Sequence, residues 1–344
     1  MLDGASTLDT GDFSLLGGSV VLPRQFVLDN AYLREGDSAF AGGSLIEGIG
    51  NRYSDVDVHV ITDTLLQEKE IAPQRHYRVL SPDRSILTGQ SPEAEVFLIH
   101  TVIPGSHIKV DIEYRTWAEI DKLAASVRET FDYATESLVL LTKYMNARDM
   151  AFIHRLFKSP ALRGDMGLER VKAAIGALKF SYLMYRWKAS DFSVLLDILG
   201  AWEDGDWVRC ADLARENMVT QFQAYTHLCG NTNYHRKWII TYARRTSVDE
   251  KALTRYLELL TASCGTEEAR LKAYILETID FVDEVFAASH RALLAQPAFP
   301  SGVTACEAID EYLRLEAEDY SDMEVAYRKK AYGVIGLPTR AWFK

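Results

Sequence analysis

Apolar and polar residues alternate in two stretches of the first third of the chain. After position 116 the apolar spacing widens to that of helices. In Asp55-Val56-Asp57-Val58-His59-Val60-Ile61 the apolar residues recur with the period of a strand that has one face against a core. A second apolar run, Val96 to Ile103, reaches Pro104-Gly105-Ser106. It continues as the alternating His107-Ile108-Lys109-Val110-Asp111-Ile112-Glu113-Tyr114. Proline pre-sets one turn angle and glycine accepts the positive φ that follows, so residues 95–114 read as a hairpin. Residues 38–42 form a short strand ending in Gly42-Gly43-Ser44, and His76–Leu80 offers a further one. A helix is predicted over 23–35, with Pro23 in its first turn and Gly36 as its stop. Residues 1–21, rich in Gly, Ser, Thr and Asp, read as loose, and Gly17-Gly18-Ser19 reads as a flexible loop.

The rest of the chain reads as helical. Capping boxes, a Ser or Thr followed three residues later by Glu, stand at Thr116/Glu119, Ser247/Glu250, Thr304/Glu307 and Ser321/Glu324. Helices are predicted near 116–130, 135–158, 166–188, 190–200, 206–228, 232–245, 248–263, 266–294, 304–316 and 321–332. The fold class is α+β: a mixed-sheet domain over 1–130 followed by an all-helical domain over 131–344.

Composition narrows the setting. The 344 residues are 48% apolar, enough for a globular core, and no apolar run is long enough for a transmembrane helix. No basic residue precedes Arg24, which argues against a signal peptide. Cys210, Cys229, Cys264 and Cys306 lack zinc-ligand spacing and read as buried or free thiols of a cytoplasmic protein. The net charge of −11 is uneven: residues 1–115 hold 17 acidic and 9 basic residues, residues 116–344 hold 32 and 29. That balance leans away from a polynucleotide acceptor, which calls for a basic face.

The richest segment is Gly42-Gly43-Ser44 followed by Asp55-Val56-Asp57. Asp55 and Asp57 share a strand face, roughly 7 Å apart by rise. Like charges held so close call for a cation between them, and oxygen ligands suit Mg²⁺. The glycines let backbone approach an anion, and a helix starting just after them would favour phosphate there. These residues resemble the signature of the polymerase-beta-like nucleotidyltransferase superfamily. It is met here by Gly43-Ser44, a spacer, and Asp55-Val56-Asp57-Val58, with Asp111 as the third carboxylate.

The resemblance covers residues 40–114. It implies that Asp55 and Asp57 bridge two Mg²⁺ ions, that Asp111 holds the catalytic ion and helps activate an acceptor hydroxyl, and that Gly43 and Ser44 touch phosphates. Ser54-Asp55 matches a sharper sub-pattern of nucleotide-adding and nucleotide-cyclising relatives, but Gly48-Ile49-Gly50 stands where their Gly-Thr would fall, so the subfamily stays open. Glu113 is a candidate general base, a residue orienting Asp111, or the third ligand in place of Asp111. Related enzymes bring a cation from the helical domain onto the triphosphate, which singles out Arg236 and Lys237. These lie in a segment with Tyr234, Trp238 and Tyr242 at four-residue spacing. Glu47, Asn51 and Arg52 lie between the glycines and the aspartates, within reach of nucleotide or acceptor. His59 reads as a packed strand histidine off the aspartate face, and His100 and His107 are given no chemistry. Arg186 and Lys188 close a helix, where cations suit the dipole.

The resemblance implies transfer of a nucleoside monophosphate, AMP from ATP or another NTP, onto a small hydroxylated acceptor. The size and helical second half resemble antibiotic nucleotidyltransferases, and a biosynthetic enzyme is equally compatible. A synthase of a cyclic or linear oligonucleotide signal, protein nucleotidylation, and a non-catalytic nucleotide binder remain alternatives. The sequence gives no oligomeric state.

Overall fold

The computed structural model describes residues 6–7, 11–136, 141, 143–189, 193–299, 321–331 and 336–344. The chain forms two compact units, Met1–Ser126 with Ala147–Gly176, and Val127–Asn146 with Ala177–Lys344. The first holds a mixed sheet and the second is helical, giving the α+β class. Among the described residues no helix is long and apolar enough to cross a membrane.

Three short strands open the first unit, β1 (Ser6–Thr7), β2 (Phe13–Leu15) and β3 (Val20–Leu22), joined into an antiparallel sheet. This corrects the reading of residues 1–21 as loose. Gly17 and Gly18 both take positive φ and turn the chain between β2 and β3, so the glycines that suggested a loop are the hairpin's turn. Helix α1 (Arg24–Asn30) follows, shorter than predicted.

The central sheet has six strands: β4 (Ser38–Gly42), β5 (Val56–Thr62), β7 (Arg78–Leu80), β9 (Leu98–Val102), β10 (Lys109–Thr116) and β11 (Ala161–Arg163). Their order is β11-β4-β5-β10-β9-β7. A separate ladder joins β6 (Leu66–Gln67) to β8 (Glu95–Val96). Strands β9 and β10 form the predicted hairpin, with Gly105 at φ +73 in its turn. Strand β10 also pairs with β5, in parallel. Strand β11 was not predicted, since three residues are too few to show a period.

Alternation sorts the two faces of this sheet. Val56, Val58 and Val60 of β5 and Val110, Ile112 and Tyr114 of β10 point into one core with Phe13, Leu22 and Val27. The Tyr114 hydroxyl donates to the Ala31 carbonyl at the end of α1 (2.8 Å). The opposite face carries Asp57 and His59 from β5 and Asp111, Glu113 and Arg115 from β10. Helix α2 (Trp117–Glu136) starts at the predicted box, with the Thr116 amide donating to Glu119 (2.7 Å). Helix α3 (Ala147–Lys158) then lies over the polar face and helix α4 (Asp165–Ile175) follows.

His59 is packed, as expected, but on the aspartate face: positions 57 and 59 have the same parity, and the register sets Glu113 beside His59 as it sets Asp111 beside Asp57. Its ring stacks on Phe40 (5.0 Å between centroids) and meets the edge of Phe152 (5.3 Å). Among the described residues neither ring nitrogen has a hydrogen-bond partner. Burial first, then Arg155, Arg115 and Arg148, hold it neutral well below the usual histidine range. Replacing it by phenylalanine removes two unpaired buried nitrogens and is expected to stabilise the fold by about 1 kcal/mol. As pH falls below 6.5, the unfolded chain takes up a proton that the folded one refuses, so the wild type alone loses stability from this group. The Tm advantage of His59→Phe should therefore widen on acidification. An advantage independent of pH would show that His59 does not carry this sensitivity.

In the second unit, α5 (Ala177–Ala189), α6 (Ser193–Glu203), α7 (Trp207–Leu228), α8 (Ile239–Ala243), α9 (Glu250–Thr261) and α10 (Glu268–Leu294) build the helical body. Helix α7 packs against α5, α6 and α10. Phe222 of α7 stacks on Tyr256 (4.0 Å). The predicted helix 166–188 is two helices, broken at Gly176 with φ +75. The predicted 135–158 helix is α3 alone over its C-terminal half, with residues 137–140 and 142 outside the described residues. Helix α9 is capped by Asp249, which accepts from Lys251 and Ala252, rather than by Ser247. Arg186 is not a cation at an exposed helix end: it is fully buried and donates to the Ala134 carbonyl. A helix over Ser321–Ala331 and a 3₁₀ turn over Thr339–Trp342 follow. The predicted helix 304–316, its Thr304/Glu307 box and Cys306 lie outside the described residues, as do the side chains of Ser321 and Glu324. Cys210, Cys229 and Cys264 are free.

Candidate active site

Strand β4 delivers Gly42 directly beside Asp57. Gly43 then turns away with φ +95, and a Cβ there would lie 2.5 Å from the Asp57 Oδ2. Only glycine permits this approach of backbone to carboxylate. The following residues wind into successive turns. The Glu47 amide donates to the Gly43 carbonyl (3.1 Å), and the Ile49 and Gly50 amides both donate to the Ser44 carbonyl (2.9 and 2.7 Å). No helix starts here, which corrects the expectation of a helix N-terminus for phosphate. The segment is too rich in glycine to propagate one. Glu47 turns inward to His154 of α3 (3.1 Å).

A second turn brings the chain back. The Ser54 amide donates to the Asn51 carbonyl (2.9 Å) and the Ser54 hydroxyl accepts from the Asn51 amide (3.1 Å). Ser54 thus closes the turn that sets Asp55 at the mouth of β5. Arg52 lies over the ring of Tyr53, both exposed. Asp55 is exposed and, among the described residues, has no hydrogen bond or ion pair.

Asp57 and Asp111 stand side by side in the parallel register of β5 and β10. That adjacency, implied only by the resemblance, is present. Asp57, Asp111 and Glu113 are each met by a basic side chain of the chain. Arg155 of α3 reaches the Asp57 Oδ2 (2.8 Å), and His100 of β9 places its Nδ1 2.6 Å from the Asp111 Oδ1. Glu113 accepts from Arg115 (3.1 Å) and from Arg148 of α3 (2.8 Å). Arg115 also donates to Asp149 (2.6 Å). His100, first given no chemistry, is therefore the partner of Asp111, placed opposite it by the hairpin register. Glu113 is gripped by two guanidiniums, an arrangement that suits positioning rather than proton abstraction.

The Asp57 carboxyl is pushed up from 3.8 to about 7. Burial is the main cause, Arg155 opposes it, and Asp55, Asp111 and Glu113 add to it. The arginines carry a sequence signal of their own. Arg148, Asp149, Phe152 and Arg155 share one face of a helix, and an acidic strand pair needs cations from whatever covers it.

Arg236 and Lys237 belong to the second unit. They are exposed on a single 3₁₀ turn, Arg236–Trp238, rather than on a long helix, with Lys237 beside the ring of Trp238 (5.3 Å). Tyr234 precedes that turn, so the expected four-residue aromatic stripe does not form on one helix.

The donor chemistry of the face suits a hard divalent cation: carboxylate oxygens, with Asp57 and Asp111 adjacent and Asp55 unengaged. Burial first, and repulsion from Asp55, Asp111 and Glu113 after it, penalise the Asp57 charge, and such an ion would offset both. Among the described residues no three His, Cys, Asp or Glu side chains are drawn together as a ligand set. Arg155, His100 and the Arg115–Arg148 pair take the carboxylates one at a time. The residues fit a cation provided that Arg155 leaves Asp57.

No family model matches the chain, and no curated protein matches it. Among solved structures it is similar to a nucleotidyltransferase-like protein from Exiguobacterium sibiricum. The two are 11% identical with a TM-score of 0.39, over 80% of this chain and 79% of that one. A likeness at that level fixes neither fold nor function, so the functional reading rests on the chain's own residues.

Proposed function

We propose that the chain is a Mg²⁺-dependent nucleotidyltransferase that moves a nucleoside monophosphate, AMP from ATP, onto a hydroxyl of a small molecule. The observation that carries this reading is the pairing of Asp57 with Asp111 on adjacent parallel strands, with the Gly43 backbone pressed against Asp57. Asp55, Asp57 and Asp111 would hold the metal. When bound there, Mg²⁺ supplies charge neutralisation for the phosphates and acidifies the acceptor hydroxyl. The acceptor oxygen attacks the α-phosphorus, the bond to the bridging β-oxygen breaks, and pyrophosphate leaves with the electron pair. The acceptor proton passes to Asp111, which His100 orients. Gly43 and Ser44 would touch the β- and γ-phosphates. Glu113, Arg115, Arg148 and Asp149 form the rigid support behind them.

The test is product identification: incubation with ATP, Mg²⁺ and a panel of polyhydroxylated acceptors, followed by mass spectrometry. The expected product is an acceptor carrying one nucleoside monophosphate. An oligonucleotide or cyclic product from ATP alone would move the reading to signal synthesis. The ion pairs on the carboxylates favour one competing reading, a nucleotide binder in which arginine has replaced the metal. That reading requires ATP to bind without any product and without dependence on Asp57.

A further inference from the structure

Asp57, Asp111 and Glu113 are not held alike by their basic partners. Glu113 lies in a closed network, between Arg115 and Arg148, with Arg115 tied onward to Asp149. Asp111 gives one oxygen to one ring nitrogen of His100 and keeps the other. Asp57 is held by a single nitrogen of Arg155, and among the described residues Arg155 has no other acidic partner. The stem of Arg155 packs on Gly42, with its Cβ 3.1 Å from where a Gly42 side chain would begin, while the head reaches across to Asp57. The side chains of this pair are 25% and 16% exposed, so the guanidinium can leave by rotating about its own bonds toward solvent.

A guanidinium on the Asp57 Oδ2 and a divalent cation compete for the negative charge of one carboxylate. They cannot hold that carboxylate together at full strength. A displaced Arg155 would carry a forked, planar set of donors that matches phosphate oxygens bidentately. It would stand within one side-chain length of the carboxylate that holds the metal.

We propose that Arg155 is a displaceable placeholder. It neutralises Asp57 while no divalent cation is bound, and it passes to the triphosphate when the cation takes Asp57. This rests on the nucleotidyltransferase reading and adds a residue to it. The phosphate-binding cation is then built into the sheet-bearing unit, on the helix that covers the carboxylates, whereas the sequence had offered Arg236 and Lys237. The arrangement also couples the two ligands: metal entry frees the group that binds nucleotide, so each favours the other.

The experiment is calorimetric titration of wild type, Arg155→Gln and Arg155→Lys, first with Mn²⁺ alone and then with a non-hydrolysable ATP analogue in Mg²⁺. Arg155→Gln removes the competitor for Asp57 and should bind Mn²⁺ about five-fold more tightly, the equilibrium factor of a partly exposed ion pair. The same substitution removes a charge-assisted phosphate contact and should bind the nucleotide analogue about ten-fold more weakly. Opposite signs from one substitution are the signature, and Arg155→Lys should fall between wild type and Arg155→Gln in both titrations. Thermal unfolding verifies that each variant is folded, and Arg155→Lys carries the test if Arg155→Gln is not.

Mn²⁺ affinity unchanged in Arg155→Gln, or both affinities moving the same way, overturns the proposal. If wild type still binds both ligands and loses them in Asp57→Asn, the nucleotidyltransferase reading survives that outcome. Wild type that binds neither ligand overturns both.

Discussion

Asp57→Asn is expected to abolish nucleotidyl transfer and, at the same time, to stabilise the metal-free protein at neutral and alkaline pH. The loss of transfer should be about 10³-fold or more, because the carboxylate contributes several kcal/mol of metal-mediated stabilisation to the transition state. The gain in stability follows from the upward shift of the Asp57 carboxyl. Below 3.8 the group is protonated whether the chain is folded or not, and asparagine is nearly its equal. Between 3.8 and about 7 the unfolded chain has released a proton that the folded chain keeps, so rising pH favours unfolding. Above about 7 the folded protein carries the full penalty, on the order of 4 kcal/mol from a shift of this size. Thermal unfolding in EDTA across this range should show the Asn variant level with wild type at the acid end and clearly above it at the alkaline end. A variant less stable than wild type at alkaline pH would mean that the Arg155 ion pair outweighs burial and repulsion. A carboxylate that costs stability in the absence of its ligand is what a binding site, rather than a structural ion pair, requires.

Gly43→Ala is the second substitution with a large expected effect. Its backbone sits at φ +95, where an L-residue costs about 1–2 kcal/mol, and the new methyl would overlap the Asp57 carboxylate at 2.5 Å. Asp57 has to move, and a displacement of this order costs about 10² in rate. Gly105→Ala is the control. Gly105 has φ +73 in the β9–β10 turn, with open space where the methyl would go. It should lose a comparable amount of stability and keep its activity. Equal activity losses in both variants would show that backbone strain, not the approach to Asp57, is responsible.

Strands β5 and β10 and their hairpin partner β9 were legible because alternation and a Pro-Gly turn are local signals. That β10 lies against β5 was not: parallel pairing across fifty residues leaves no local trace, and it was implied only by the resemblance. His59 could have been placed on the Asp57 face from parity alone. The short strands β1 to β3 carry too few residues to show a period, so their glycines dominated the reading. The basic segment after 231 looked helical because its aromatics recur at four-residue spacing. Asn231 accepts from the Asn233 amide and Asn233 from the His235 amide (2.8 and 3.0 Å), local bonds that compete with a helix and delay it to Arg236. Of the site, the carboxylates and Gly43 were visible as residue types at a fixed spacing. Their partners Arg148 and Arg155 were not, because a helix pattern shows which residues share a face but not what that face covers, and His100 needed the exact hairpin register that sets it opposite Asp111.

In the proposed function, Asp57 and Asp111 form one metal-dependent transfer site. The most direct measurement is pyrophosphate release from ATP, with the acceptor panel, by wild type and Asp111→Asn in Mg²⁺ and in EDTA. Release that needs both Mg²⁺ and an acceptor, and that is lost in the variant, is the predicted result. Release that persists in Asp111→Asn or in EDTA would contradict it.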